Sequence, residues 1–179
     1  MSNYWLEVGL IFFVAFVGIF QMVEGAFFHE LGHLNEARKY KYAKAEIKLK
    51  IAFPLCKVKD CKMTKDIHLK YGGGCILDNG YLVYTDDELK AIARAGLRGA
   101  YNFVFTTGII SLVLTYLFGY IIHMDDVLLC FLLSASFILT IMNVILNLIK
   151  YNKKSEWGDK EIYLDPAGFR NYAKGTEDA

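Results

Sequence analysis

Three stretches of this chain are nearly free of charge, and they predict three long helices. The first runs from about Trp5 to His33: Val8 to Phe20 is uncharged, after which Gln21, Glu24, His29 and Glu30 place polar groups at selected positions. Gly99 to Ile122 and Val127 to Ile149 hold no charged residue over 24 and 23 positions. At about 1.5 Å rise per residue each stretch covers a bilayer's hydrocarbon core of roughly 30 Å, and soluble core helices are rarely so uniformly apolar. Membrane spans are therefore expected over about 5–34, 99–122 and 127–149. Only His123 to Asp126 separate the last two, so they form an antiparallel hairpin.

Between the first and second spans the pattern changes period. Residues 44–58 and 65–77 interleave Ile, Leu, Val and Phe with Lys and Asp, as in Glu46-Ile47-Lys48-Leu49 and Asp66-Ile67-His68-Leu69. Alternation of this kind predicts strands, hence a small β-sheet at the membrane face. Gly72-Gly73-Gly74 is expected to close the second strand, removing side chains where another backbone approaches. Asp78-Asn79-Gly80 predicts a turn into a short strand at Tyr81 to Tyr84. Thr85-Asp86-Asp87-Glu88 has the form of an N-cap with an acidic first turn, so a helix should start there and run through Arg98 into the second span.

Composition agrees with one membrane-embedded unit over residues 1–179: 55% of residues are hydrophobic and mean hydropathy is +0.29. The fold class expected is an α-helical membrane protein with a β-rich insertion, residues 39–98, and a tail, residues 150–179. Fourteen Lys or Arg lie between Arg38 and Arg98, and Lys150, Lys153 and Lys154 follow the third span, whereas the N-terminal tail and the 123–126 turn have none. Basic residues stay on the cytoplasmic side, so the insertion and the tail should face the cytoplasm. A net charge of +1 gives no reason to expect nucleic acid as a partner; attraction to anionic membrane lipid explains the lysines better. The N-terminus lacks the basic region and cleavage site of a secretory signal, so the first span is expected to stay attached. Cys56, Cys61, Cys75 and Cys130 form no Cys-x-x-Cys pair, and three fall in the cytoplasmic insertion; packing is expected of them, with metal binding by Cys56 and Cys61 the lesser alternative. His68 and His123 stand alone and are expected to be surface residues.

The chemistry is concentrated in His29-Glu30-Leu31-Gly32-His33. Residues four apart share a helix face, so both imidazoles can bind one ion while Glu30 reaches a water beside it. From Val8 to His29 is about 32 Å of helix, which places this motif near the cytoplasmic interface. A catalytic zinc takes three protein ligands, so a third has to come from elsewhere in the chain. Glu24 suits this poorly, since it projects about 140° round the helix from His29, and is better read as a polar contact between helices. Asn143 and Asn147 share a face of the third span and could hydrogen-bond across helices.

Taken together, these features resemble the site-2 protease family of intramembrane zinc metalloproteases. His29-Glu30-Leu31-Gly32-His33 matches its zinc motif; Leu69-Lys70-Tyr71-Gly72-Gly73 looks like its strand ending in Gly-Gly; Ala95-Gly96-Leu97 with Asn102 is similar to its Ala-Gly-Pro…Asn segment, with Leu for the proline. Asn147-Leu148-Ile149 resembles the start of its Asn-x-x-Pro…Asp-Gly motif, but Lys150 replaces the proline and no Asp-Gly follows. The resemblance implies a Zn2+ cofactor on His29, His33 and a tail carboxylate, Glu30 as general base, and Asn147 assisting catalysis. Glu156 stands at about the place of the family's aspartate and is slightly favoured by spacing; Asp159 has the right side chain but follows its glycine. The implied substrate is a membrane-spanning protein or peptide, cut near the cytoplasmic face of a prokaryotic plasma membrane, its extended segment pairing with the strand near Gly72, Gly73 and Gly74. Two alternatives stand beside it: a catalytically inactive membrane scaffold of the same fold, and a zinc hydrolase acting on a small or lipid substrate.

Overall fold

A computed structural model describes residues 4–41, 43–65, 72–77, 82–152 and 158–177. Helix α1 (Tyr4–Tyr40) leads into a sheet of strands β1 (Ala45–Leu49), β2 (Cys61–Lys65) and β3 (Gly73–Leu77). Helices α2 (Asp86–Ile121) and α3 (Asp126–Asn152) follow, then α4 (Asp159–Leu164) and α5 (Pro166–Glu177). The three long helices are each long and apolar enough to cross a membrane.

Their packing reverses the usual distribution of polarity. Phe12, Phe16, Ile19, Ile109, Val127 and Phe131 point outward, whereas Gln21, Ser111, Thr115, Ser136, Thr140 and Asn143 are buried between the helices. Gln21 of α1 is the hub: its Nε2 donates to the Val104 carbonyl and to Thr107 Oγ1, both at 3.2 Å, and its Oε1 accepts from Asn143 Nδ2 at 3.1 Å. Asn143 also donates to the Gly18 carbonyl, and Ser111 and Ser136 pair at 3.0 Å one level further along. Such bonds hold helices together where apolar surroundings give hydrophobic burial little leverage. The expected polar contact of Asn143 is thus present. Close approach of α1 and α2 depends on Gly32 and Gly99, since a methyl group at either would overlap a backbone carbonyl of the other helix, Ala95 or Phe28.

At one end the bundle carries an ordinary apolar core. Phe27, Leu34 and Ala37 of α1 and Leu89, Ile92 and Ala93 of α2 pack with Ile47 and Leu49 of β1, Leu77 of β3, and Ile162 and Phe169 of the tail. The sheet order is β2-β1-β3, with β1 parallel to β2 and antiparallel to β3. Among the described residues β3 therefore has a free edge.

Several boundaries differ from those expected, each for a local reason. The strand predicted over 44–58 is a strand only over Ala45–Leu49; beyond it Pro54 has no N–H, and that of Phe53 is taken by Glu24. β2 falls almost wholly in the interval between the two predicted strands, where Cys61 and Met63, set between Lys62 and Thr64, pack against the core. Gly73 and Gly74 open β3 instead of closing a strand, pairing with Leu49 and Lys48, while residues 66–71, with His68, lie outside the described residues. Leu82–Tyr84 form a turn, not the short strand expected at 81–84. Thr85 caps α2 as expected, in a reciprocal box with Glu88: Glu88 N donates to Thr85 Oγ1 and Thr85 N to Glu88 Oε2 at 2.7 Å. The helix it starts continues unbroken into the second span, so residues 86–98 of the insertion are helical. α1 likewise extends to Tyr40, past the expected end near 34, and the tail contains two helices.

Replacing Gln21 with Leu removes the hub while keeping its volume approximately. It is expected to destabilise the bundle by about 1 to 2 kcal/mol, measured by detergent-induced unfolding, with Met22→Leu on the outer face close to neutral.

Candidate metal centre

His29 and His33 lie one turn apart on α1, with ring centroids 4.9 Å apart. Asp159, the first residue of α4, meets both: its Oδ2 is 2.7 Å from His29 Nε2 and its Oδ1 is 3.2 Å from His33 Nε2. One ligand atom from each residue falls within 4.8 Å of the other two. Two imidazoles with one carboxylate are a donor set suited to zinc, which such ligands hold at about 2.0–2.2 Å. No other such group of three donors occurs among the described residues.

The surroundings set each donor's state. His33 Nδ1 lies 2.7 Å from the Ile92 carbonyl of α2. A carbonyl only accepts, so Nδ1 carries a proton and Nε2 is turned toward the cluster, the orienting contact that metal-binding histidines commonly have. Burial disfavours the ionised form of Asp159, but the charges and hydrogen bonds of His33 and His29 outweigh it and hold the carboxyl below the usual carboxylate range. Asp159 is therefore ionised at neutral pH, as a ligand must be.

Room for an ion comes from α2. A methyl group built at Gly96 would fall 2.7 Å from His29 Nε2 and closer still to His33 Nε2. A bare Cα at this position leaves space against both nitrogens, and the residues one turn further along the same face, Gly99 and Ala100, are also small. The tail that supplies Asp159 is seated on the same helix. Ile162 and Phe169 enter the apolar core, Arg94 donates to the Tyr163 hydroxyl and lies 4.0 Å from its ring centroid, and Arg170 pairs with Asp86.

Glu30 is buried beside the cluster, near enough to interact electrostatically with His29, His33 and Asp159. Gly73 of β3 covers it: a Cβ there would come within 3.1 Å of Glu30 Cγ and 3.0 Å of the Lys48 carbonyl. Gly74 faces open space, and the Gly72 carbonyl accepts from Lys50 N at 2.8 Å. The other expected residues are placed differently. Glu156 lies outside the described residues. Asn147 is buried in α3, with Nδ2 donating to the Asn143 carbonyl of its own helix at 2.8 Å. Glu24 is fully buried and binds the Phe53 N–H. No cysteine is in a disulfide, and burial pushes the Cys75 thiol up to about 12, which keeps it protonated and fits its packing role. A groove of about 390 Å³ lies between α1 and α2, lined by Phe28, Asn35, Asn102 and Phe103 among others; it contains none of the three donors, so it is not where they act.

Gly96→Ala is expected to close the space beside the two imidazoles to any metal ion, read by comparing the metal content of the variant with that of the native chain, while leaving the helical circular dichroism unchanged. Gly99→Ala separates site from packing: it should destabilise the α1–α2 contact without intruding on the two imidazoles. Comparison of the chain with family models, curated proteins and solved structures finds no match.

Proposed function

We propose that this protein is an intramembrane zinc metallopeptidase that hydrolyses a peptide bond of a membrane-spanning substrate. The observation that carries the proposal is the convergence of His29, His33 and Asp159, with Glu30 beside them, at the end of an apolar helix. Polar and ionisable groups cost several kcal/mol in such a helix, so three of them within five residues, met by a carboxylate from α4, indicate a task. Orientation follows from charge: the Lys and Arg between Arg38 and Arg98 put the sheet, the tail and the site at the cytoplasmic side.

Zinc held by the three donors would supply Lewis acidity to the scissile carbonyl and lower the pKa of the attacking water. Glu30 withdraws the proton from that water and passes it to the leaving amine. Its burial beneath Gly73 keeps bulk solvent off the carboxylate, while the edge of β3 opposite β1, which no other strand among the described residues pairs with, offers a place for an extended chain. A substrate helix has to unwind before its peptide bond reaches the site; pairing with β3 replaces the hydrogen bonds it gives up. Gly73 and Gly74 carry no side chains to hinder that approach. Asn147 assisting the substrate rests on the family resemblance alone.

One observation favours the inactive scaffold as the second reading: each oxygen of Asp159 pairs directly with an imidazole, so the three groups satisfy one another. Zinc content separates the two. The enzyme carries about one zinc per chain when purified in detergent; His29→Ala and Asp159→Ala lose it. Glu30→Gln keeps zinc and loses at least about a hundredfold in cleavage of a transmembrane peptide, the usual share of a general base. A chelator should abolish cleavage and added zinc restore it. Absence of zinc from the native chain, or full turnover by Glu30→Gln, refutes the peptidase.

A further inference from the structure

α1 and α3 run in the same direction, since the chain reverses twice between them, and their contacts keep one register. Asn143 donates to Gln21, which lies 122 positions earlier, and to the Gly18 carbonyl. A Cβ on Gly18 would touch Leu139, and Leu10 packs in one cluster with Leu132, the same interval apart as Gln21 and Asn143. Carried to the cytoplasmic end, that interval puts Tyr151 level with His29 and Asn147 level with Gly25. Asn147 therefore lies a full turn, about 6 Å, deeper in the bundle than the first histidine.

The inward face of α3 continues to Tyr151. Ser136, Thr140, Asn143 and Asn147 are buried at successive turns, and Tyr151 is half-buried at the next, while Leu148 and Ile149 beside it are exposed. Tyr151 is near enough to interact electrostatically with Asp159, whose carboxylate meets both imidazoles, and with Arg94, Tyr163 and Glu161. The Asn147 amide, by contrast, is committed to the Asn143 carbonyl of its own helix. α3 thus brings a phenol, rather than an amide, to the level of the three donors.

Peptide hydrolysis has a use for such a group. When water adds to the scissile carbonyl, its oxygen gains negative charge, and a fixed donor aimed at that oxygen stabilises the transition state more than the ground state. On the reading above His29, His33 and Asp159 serve as ligands and Glu30 as base, so none of the four is left to donate to it. A phenol is a neutral O–H donor that keeps its proton at neutral pH.

We propose that Tyr151 is a catalytic residue whose hydroxyl donates a hydrogen bond to the carbonyl oxygen of the scissile peptide as that oxygen becomes anionic. The role rests on the peptidase reading, and it falls to a residue one turn nearer the cytoplasm than Asn147. The proton stays on the phenol throughout, and no covalent bond to Tyr151 forms or breaks.

The test is Tyr151→Phe, which removes one oxygen and keeps the ring. The native protein is assayed first, for zinc and for cleavage of a transmembrane peptide in detergent. The variant should keep the native zinc content and a KM within about twofold, while kcat falls about a hundredfold, the share of a single oxyanion donor. A phosphinic analogue of the same peptide, whose anionic oxygens copy the tetrahedral stage, should bind the variant more weakly by a similar factor in fluorescence anisotropy, a readout without turnover. Tyr116→Phe, on the outer face of α2, should leave kcat at the native value. An unchanged kcat in Tyr151→Phe overturns the role and leaves the peptidase standing. So does a loss that comes with lost zinc, or one that appears in KM alone, since either would make the residue structural. A native chain with neither zinc nor turnover removes the peptidase, and this role with it.

Discussion

The structure turns on one electrostatic requirement: two imidazoles, facing the same way from a largely apolar helix, need an anionic partner and space beside them. Asp159 supplies the charge and Gly96 the space, and neither belongs to the helix that bears the histidines. Most of the remaining architecture at this end of the bundle serves to bring those two groups to α1. Gly32 and Gly99 allow α2 close enough for Gly96 to lie against the rings and for the Ile92 carbonyl to fix His33. The apolar contacts of Ile162 and Phe169, with Arg94 and Tyr163, hold the tail so that its first helical residue faces inward.

The bundle solves a related problem by the opposite means. Where outer surfaces are apolar, burying more hydrocarbon does little to choose one helix arrangement over another, and directional bonds take over. Gln21 contacts both other helices at a single level and is fully enclosed, so sliding any helix by one residue would leave buried amide groups without partners. The site is thus supported by a register set about 12 Å away from it, at eight residues' distance along α1.

What the sequence made legible was local. The charge-free runs, the His-Glu-x-x-His face and the Thr85–Glu88 box each declare themselves within a few residues, and each stands in the structure where those residues put it. What it obscured depended on distant parts of the chain. The period-two pattern named a sheet correctly but misplaced two strands, because the Phe53 N–H pairs with a helix carboxylate and β2, a short run with only Cys61 and Met63 as apolar positions, gains its place from pairing with β1. Spacing and side-chain type left Glu156 and Asp159 nearly level; Asp159 reaches the histidines because the tail folds into α4 with Gly158 at its N-cap, and Glu156 lies outside the described residues. Gly96 was visible as part of a short motif, but its relation to the imidazoles required the α1–α2 crossing.

A ligand carried by a docked tail has a thermodynamic consequence under the zinc reading. Asp159 joins the cluster only when α4 and α5 are seated on α2, so an ion binding all three donors stabilises the seated tail, and the seated tail raises affinity for the ion by the same factor. Two histidines on a rigid helix are preorganised; the carboxylate is the part whose ordering has to be offset by Ile162, Phe169, the Arg94–Tyr163 contact and the Arg170–Asp86 pair. On that reading these contacts, made by residues other than the three donors, would set how often the third donor is in place, which would make the face of α2 between Asp86 and Arg94 a determinant of metal affinity.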